Sequence, residues 1–254
     1  MDEATKMSID QAVEEALDYF SAEDTGLGET ERMRRFELAR SVLKEQPTAV
    51  VGLLAEVFSG LSHPHKIGAY RLIVELGQVA IPAIRGLLDG AGPLERIWLI
   101  SILHALGDGS ATASMAELAG DDEPYIRQLA VLALVFQGKQ AAVKPDRLIA
   151  VLAEALLSEE KVEGSAFFIA DSALSFLRLL SGETFVDGIS PAVHFYNFDH
   201  FLFSPPIHPF PYTSDRVSTL PHRQKRQLQE RVREWWAAHR ETFQLHPITS
   251  CFEL

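Results

Sequence analysis

The chain predicts an all-α fold: a right-handed α-solenoid of stacked helix pairs, then an irregular aromatic and proline-rich loop, then a C-terminal capping helix. Three observations carry this. Gly77, Gly107 and Gly138 recur at spacings of 30 and 31 residues. Lys66, Arg96 and Arg127 each precede their glycine by eleven. Between base and glycine runs an apolar block each time, at 67–76, 97–106 and 129–136. A period of this length, with two helices per unit, is the mark of a helical solenoid.

The elements follow in order. Ser8 and Gln11 form a capping-box pattern. Ile9, Val13, Ala16, Leu17 and Phe20 then make an apolar stripe of helical period, broken near 25–28. A second helix is expected over 30–46, stopped by Pro47, and a third over 48–60. The repeat helices are expected at 65–77 and 79–89, at 94–107 and 111–119, and at 124–137 and 145–158. The three glycines stand where a helix C-cap needs a residue tolerant of positive φ. Pro93, Pro124 and Pro145 stand at or near first-turn positions, where a missing N–H costs nothing.

A longer helix is expected over 164–181, ending before Gly182. Residues 183–221 hold six prolines and eight Phe or Tyr residues. That is too aromatic for a flexible linker and too proline-rich for a helix, so an ordered loop packed on the helices is expected. A last helix over 221–241 carries Leu228, Val232 and Trp235 at i, i+4, i+7 spacing. No strand is expected. The organisation is therefore an N-terminal helical cap over 1–60, repeats over 61–182, the irregular segment over 183–220, and a capping helix with tail over 221–254.

Length and composition narrow the function. The 254 residues suffice for a sizeable core, and 47% are hydrophobic, which excludes a disordered chain. A net charge of −12 argues against a general nucleic-acid binder and suits a basic protein partner. Cys251 is the one cysteine, so no internal disulfide forms and the cytoplasm is the expected compartment. No apolar run reaches the length of a membrane span, and the acidic start has no signal-peptide core.

Charge is uneven along the chain. Residues 1–31 hold ten carboxylates against Lys6 alone, whereas 216–240 hold seven Lys or Arg against Glu230 and Glu234. These are either solvated helix faces or contacts for oppositely charged partners, and the two ends can also attract each other. Glu14, Glu15 and Asp18 are the candidate partner-contacting acids of the N-terminal segment.

The segment Asp122-Glu123-Pro124-Tyr125-Ile126-Arg127-Gln128-Leu129-Ala130 resembles the signature of HEAT-type repeats: an acid, a branched apolar residue before Arg, and a small residue three later. Arg96 with Ile97 repeats part of it, and Lys66 with Ile67 a weaker part. The chain looks like the bacterial HEAT-like group that includes phycobilin-lyase relatives. Leu179-Leu180-Ser181-Gly182-Glu183-Thr184-Phe185 and Trp235-Trp236-Ala237-Ala238-His239-Arg240 resemble the closing segment of such proteins. The resemblance implies that Asp122 and Arg127 are structural, forming ladders between neighbouring units. The fourth repeat departs from the pattern, with Asp171 where Arg is expected.

No catalytic signature is visible, and neither an enzyme activity nor a cofactor is expected. Gly107-Asp108-Gly109 lacks the third glycine of a dinucleotide loop, and no strand is expected before it. Asp121-Asp122-Glu123 precedes a helix start, where negative charge is favourable in its own right. His63-Pro64-His65 is expected to form an extended turn whose rings diverge. His194 with Asp199 and His200 could offer metal ligands, but spacing alone does not decide it, and without a CxxC or HExxH pattern no zinc site is expected.

The polar residues of the otherwise apolar helices are the better candidates for a site. Arg71 and Glu75, Ser101 and His104, and Asp171, Ser175 and Arg178 each share a helix face and would line a concave partner-binding groove. The helix holding Leu132, Val135 and Phe136 lacks such a face, and residues 193–212 are expected to cover it. The function expected is a protein-binding solenoid, most specifically an inhibitor or immunity protein for a basic toxin such as a nuclease. A lyase-like accessory factor handling a cofactor or chromophore, resting on the family resemblance, and a general structural adaptor are the alternatives.

Overall fold

The computed structural model describes residues 7–21, 28–61, 63–161, 168–183, 185, 193–196, 210–213 and 217–244. The chain divides into two compact units, Met1–Gly109 and Ser110–Leu254. The division falls inside the stretch that the sequence groups as repeats. The described residues are helical apart from one two-stranded ribbon and the lone antiparallel bridge between Lys161 and Phe168.

The first unit opens with α1 (Ile9–Ser21). Its capping box forms as expected: Gln11 N donates to Ser8 Oγ at 3.2 Å and Ser8 N to Gln11 Oε1 at 3.1 Å. Ala12, Val13, Ala16 and Leu17 are buried, against α2 (Glu29–Glu45) and α4 (His63–Leu76). Between these lie α3 (Pro47–Val57) and a 3-10 turn over Phe58–Gly60. Another 3-10 turn, Gly77–Ala80, leads to α5 (Ile81–Leu88) and then α6 (Pro93–Ala105). Every residue of α6 from Ile97 to Leu103 is buried, so this helix is enclosed on all sides. Trp98 meets Phe58 edge to face, with ring centroids 6.4 Å apart. His63 and Pro64 stand in the first turn of α4, not in an extended turn, because a proline there removes only an N–H that has no helical partner.

The second unit holds α7 (Thr112–Leu118), α8 (Pro124–Phe136), a 3-10 turn over Gln140–Ala142, and α9 (Pro145–Ala155). Next come α10 (Ile169–Ser181), strands β1 (Val193–Tyr196) and β2 (Phe210–Thr213), a 3-10 turn over Val217–Thr219, and α11 (His222–His239). Ile126 and Gln128–Val135 in α8 are buried, as is the whole run from Ile169 to Leu177 in α10.

Two expectations are corrected in this unit. Helix α10 starts at Ile169, not at 164, because Phe168 is extended and bridges Lys161. The aromatic segment contains strands: β1 and β2 pair antiparallel, Val193 opposite Thr213 and Tyr196 opposite Phe210. Leu132 and Val135 of α8 are buried, α8 packs against α7, α9 and α10, and β2 lies against α10, while most of the segment expected to cover α8 lies outside the described residues. Residues 197–209 lie outside the described ones.

The helix ends follow the glycine rule. Gly77, Gly107, Gly138 and Gly182 all have φ between 66° and 83°. At two of them the closing bonds are complete. Gly107 N donates to His104 O at 2.9 Å and Asp108 N to Leu103 O at 2.8 Å. Gly138 N donates to Val135 O at 3.0 Å and Lys139 N to Leu134 O at 2.7 Å. This is the Schellman arrangement, repeated one register later. Pro93, Pro124 and Pro145 each take the first residue of their helices, as the sequence implies.

Tyr70 is one of the buried polar groups of the first unit that lack a partner among the described residues. It is 4% exposed, and its hydroxyl meets no hydrogen-bond partner among the described residues. Burial pushes the phenol's pKa above its ordinary value of 10.0. Burying an unmatched hydroxyl costs on the order of 1–3 kcal/mol. Tyr70→Phe is therefore expected to raise the denaturation midpoint, by up to about that amount. A lower midpoint would show that the hydroxyl is matched.

Candidate functional site

The N-terminal acids divide into committed and open carboxylates. Glu15 accepts from Arg35 Nη1 at 3.1 Å, and Glu31 takes Arg34 and Arg35 on its two oxygens. Asp18 Oδ1 lies 3.5 Å from His65 Nε2. Asp10 and Glu14 are exposed and meet no cation among the described residues. Asp10, Glu14 and Asp18 recur every fourth residue, so they lie along one stripe of α1. Of the expected acidic contacts, Glu14 and Asp18 are on this open face, and Glu15 is turned to an internal pair.

The groove residues belong to two separate units. In the first, Glu75 accepts from Arg40 Nε at 2.7 Å, tying α4 to α2. Arg71 and His104 are half-buried. Ser101 is buried, and its hydroxyl donates to Ile97 O at 2.8 Å, one turn back in α6. In the second, Asp171 is 2% exposed, and Ser218 donates both N–H and Oγ–H to its two carboxylate oxygens, each at 2.8 Å. Ser175 is buried and donates to Asp171 O at 3.0 Å. Arg178 is half-buried. Ser101, Asp171 and Ser175 thus correct the groove reading: they are internal, each satisfying a backbone or turn.

Arg127 acts as a structural clamp. Its Nη1 donates to Asp121 O and Asp122 O at 3.2 and 2.8 Å, and its Nε to Glu154 Oε2 at 2.9 Å, with Nη2 on the other oxygen of Glu154. The fork therefore joins the loop before α8 to α9. Its bonded acid is Glu154; from residue 122 it takes the backbone carbonyl. Arg96 Nη2 makes the matching bond one register earlier, to Ala91 O five residues back.

The outer face of α11 carries exposed arginines that no carboxylate among the described residues engages, Arg223 and Arg226. Its inner face buries Lys225, Leu228, Gln229 and Val232, with Gln229 Nε2 donating to Ala153 O at 3.0 Å. A cavity of about 700 Å³ opens on the opposite face. Its described lining comes from α11 alone: His222, Arg223, Arg226 and Gln227, then Glu230, Arg231 and Glu234. Glu230 is engaged by Arg233 Nη1 at 2.8 Å. Arg226 Nε donates to His222 Nε2 at 3.0 Å, which places the neutral ring's proton on Nδ1. The first turn of α11 contains no acid.

The far end of α11 joins the two segments singled out as a closing motif. Trp235 packs edge-on to Phe185 at 5.5 Å and to Phe243 at 5.7 Å. Arg231 Nη1 donates to Phe185 O at 3.2 Å, and Trp236 Nε1 to Asp146 Oδ1 at 2.9 Å. Phe185 has φ 58°, a left-handed backbone that is strained for a bulky side chain. Sequence reasoning recorded the basic stretch and the tryptophans but not their division between an open face and a latch. The signal was the period of Lys225, Leu228, Gln229 and Val232, which fixes the inner side.

Among the described residues no group of three or more His, Cys, Asp or Glu is placed to hold a metal ion, and no helix is long and apolar enough to cross a membrane. His200, Asp199 and Cys251 lie outside the described residues. Compared with protein families, curated proteins and solved structures, the chain shows no match.

Two outcomes test these assignments. Removing the Asp171 carboxylate leaves two Ser218 donors unmatched, at on the order of 1–3 kcal/mol. Asp171→Ala is expected to lower stability by about that much, and Asp171→Asn by less, since its amide oxygen still accepts from Ser218 N. Equal, negligible losses would return Asp171 to the surface. The second outcome concerns acid. The Arg34 and Arg35 guanidiniums hold Glu31 at about 2, below its ordinary 4.5. A lowered folded-state pKa gives stability that is present above about 4.5 and lost as pH falls through about 2. Wild type is expected to lose helicity more steeply over that window than Glu31→Gln, as read by circular dichroism; parallel curves would count against the pairing.

Proposed function

We propose that this chain is a non-enzymatic, protein-binding right-handed solenoid of HEAT-like helix pairs. Most specifically, it serves as an inhibitor or immunity protein that neutralises a basic toxin of the nuclease kind in the cytoplasm. One observation carries the reading: Asp10, Glu14 and Asp18 form an exposed acidic stripe on α1 in a chain of net charge −12, and two of the three carboxylates have no internal cation among the described residues. Glu31, Glu37, Glu75, Asp108 and Glu154 meet arginines of the same chain. Open carboxylates of this kind suit a basic surface and speed its approach. A single cysteine fits a reducing compartment.

Affinity purification at low and at high salt identifies the partner, and surface plasmon resonance then tests the mechanism. Reversing Asp10 and Glu14 to Lys is expected to slow association more than it speeds dissociation, with the difference shrinking as salt screens charges over about 8 Å. Glu75→Lys breaks the internal pair with Arg40 and is expected to lower stability, with no separate effect on association beyond that loss. An association rate indifferent to salt and to the reversals rules the electrostatic reading out.

A further inference from the structure

We propose that the outer face of α11 is a second, independent docking surface, and that its occupant is an acidic segment of a protein partner. The face is built, not merely left over. The helix turns Lys225, Leu228, Gln229 and Val232 inward, which fixes the opposite side to solvent. There His222, Arg223, Arg226 and Gln227 make the first half of the open face, and Glu230, Arg231 and Glu234 the second.

Charge says what fits it. Arg223 and Arg226 are exposed, and neither meets a carboxylate among the described residues; Arg226 is held by His222 instead. Glu230 is neutralised by Arg233. The basic half of the face also sits over the helix N-terminus, where the backbone dipole adds positive potential and bases are locally unfavourable. By contrast, the arginines of α2 at 34, 35 and 40 reach glutamates of the same chain. Two exposed arginines about one turn apart, at the basic end of this face, match successive carboxylates of a peptide better than a single small anion. This surface differs from the acidic stripe of α1 in sign, so each can fail without the other.

The test uses the full chain and a fluorescein-labelled hexaglutamate peptide, read by fluorescence anisotropy at low salt and near physiological salt. Binding is expected at low salt, weakening as salt rises. Arg223→Glu with Arg226→Glu is expected to weaken it at least tenfold, and Arg223→Gln with Arg226→Gln by a smaller factor. Lys144→Glu with Arg147→Glu changes net charge equally on the exposed edge of α9 and is expected to leave binding unchanged. Circular dichroism confirms that each variant is folded, and the glutamine pair carries the test if the reversal is not. No binding at low salt, or an equal loss in the α9 control, overturns the proposal. So does full competition by inorganic phosphate at equal total charge, which would make this a free-anion site. Self-association that is lost in the α11 variants would give the face to a second copy and overturn it as well.

Discussion

Enclosing a helix on every side is the constraint from which most of this structure follows. Helices α6, α8 and α10 each carry unbroken buried runs and surface only toward their ends. Their last carbonyls must be matched by the chain itself as it turns away. A glycine at positive φ does this within two residues, and the paired bonds at Gly107 and Gly138 show the same solution twice. The hydroxyls inside such helices obey the same demand: Ser101, Ser172 and Ser175 all bond a carbonyl one turn back in the chain.

This explains which parts were legible beforehand. A positive φ is a local requirement that one residue type meets cheaply, so Gly77, Gly107 and Gly138 announce helix ends without reference to the rest of the fold. First-turn prolines and the Ser8–Gln11 box are equally local. The groove was not legible, because exposure is a property of what comes back to cover a helix. The spacing of Asp171, Ser175 and Arg178 does place them on one face of α10. Ser218, 47 residues later, then closes over Asp171 and converts a polar face into a buried joint. The strand pairing of 193–196 with 210–213 was missed for the same reason: its prolines argue against a ladder locally, and a two-stranded ribbon is decided by its partner and its support on α10.

Charge is distributed by the same logic of internal demand. The acids of the first unit look like a surplus in sequence, yet Glu15, Glu31, Glu37 and Glu75 are joined to arginines of α2. Such exposed pairs add little stability each. What they do is set which charges remain for outside partners. On α1 the remainder is negative, and on the outer face of α11 it is positive. A formal charge of −12 describes the sum and hides both.

The latch at the end of α11 shows how these surfaces are held. A left-handed Phe185 costs on the order of 1–3 kcal/mol and persists only where its surroundings fix it. Trp235 supplies the ring contact and Arg231 takes the carbonyl, so two residues of one helix determine the conformation of a residue 46 positions earlier. Arg231 also lines the outer face of α11. The same guanidinium therefore closes the chain onto the helix at the border of that face.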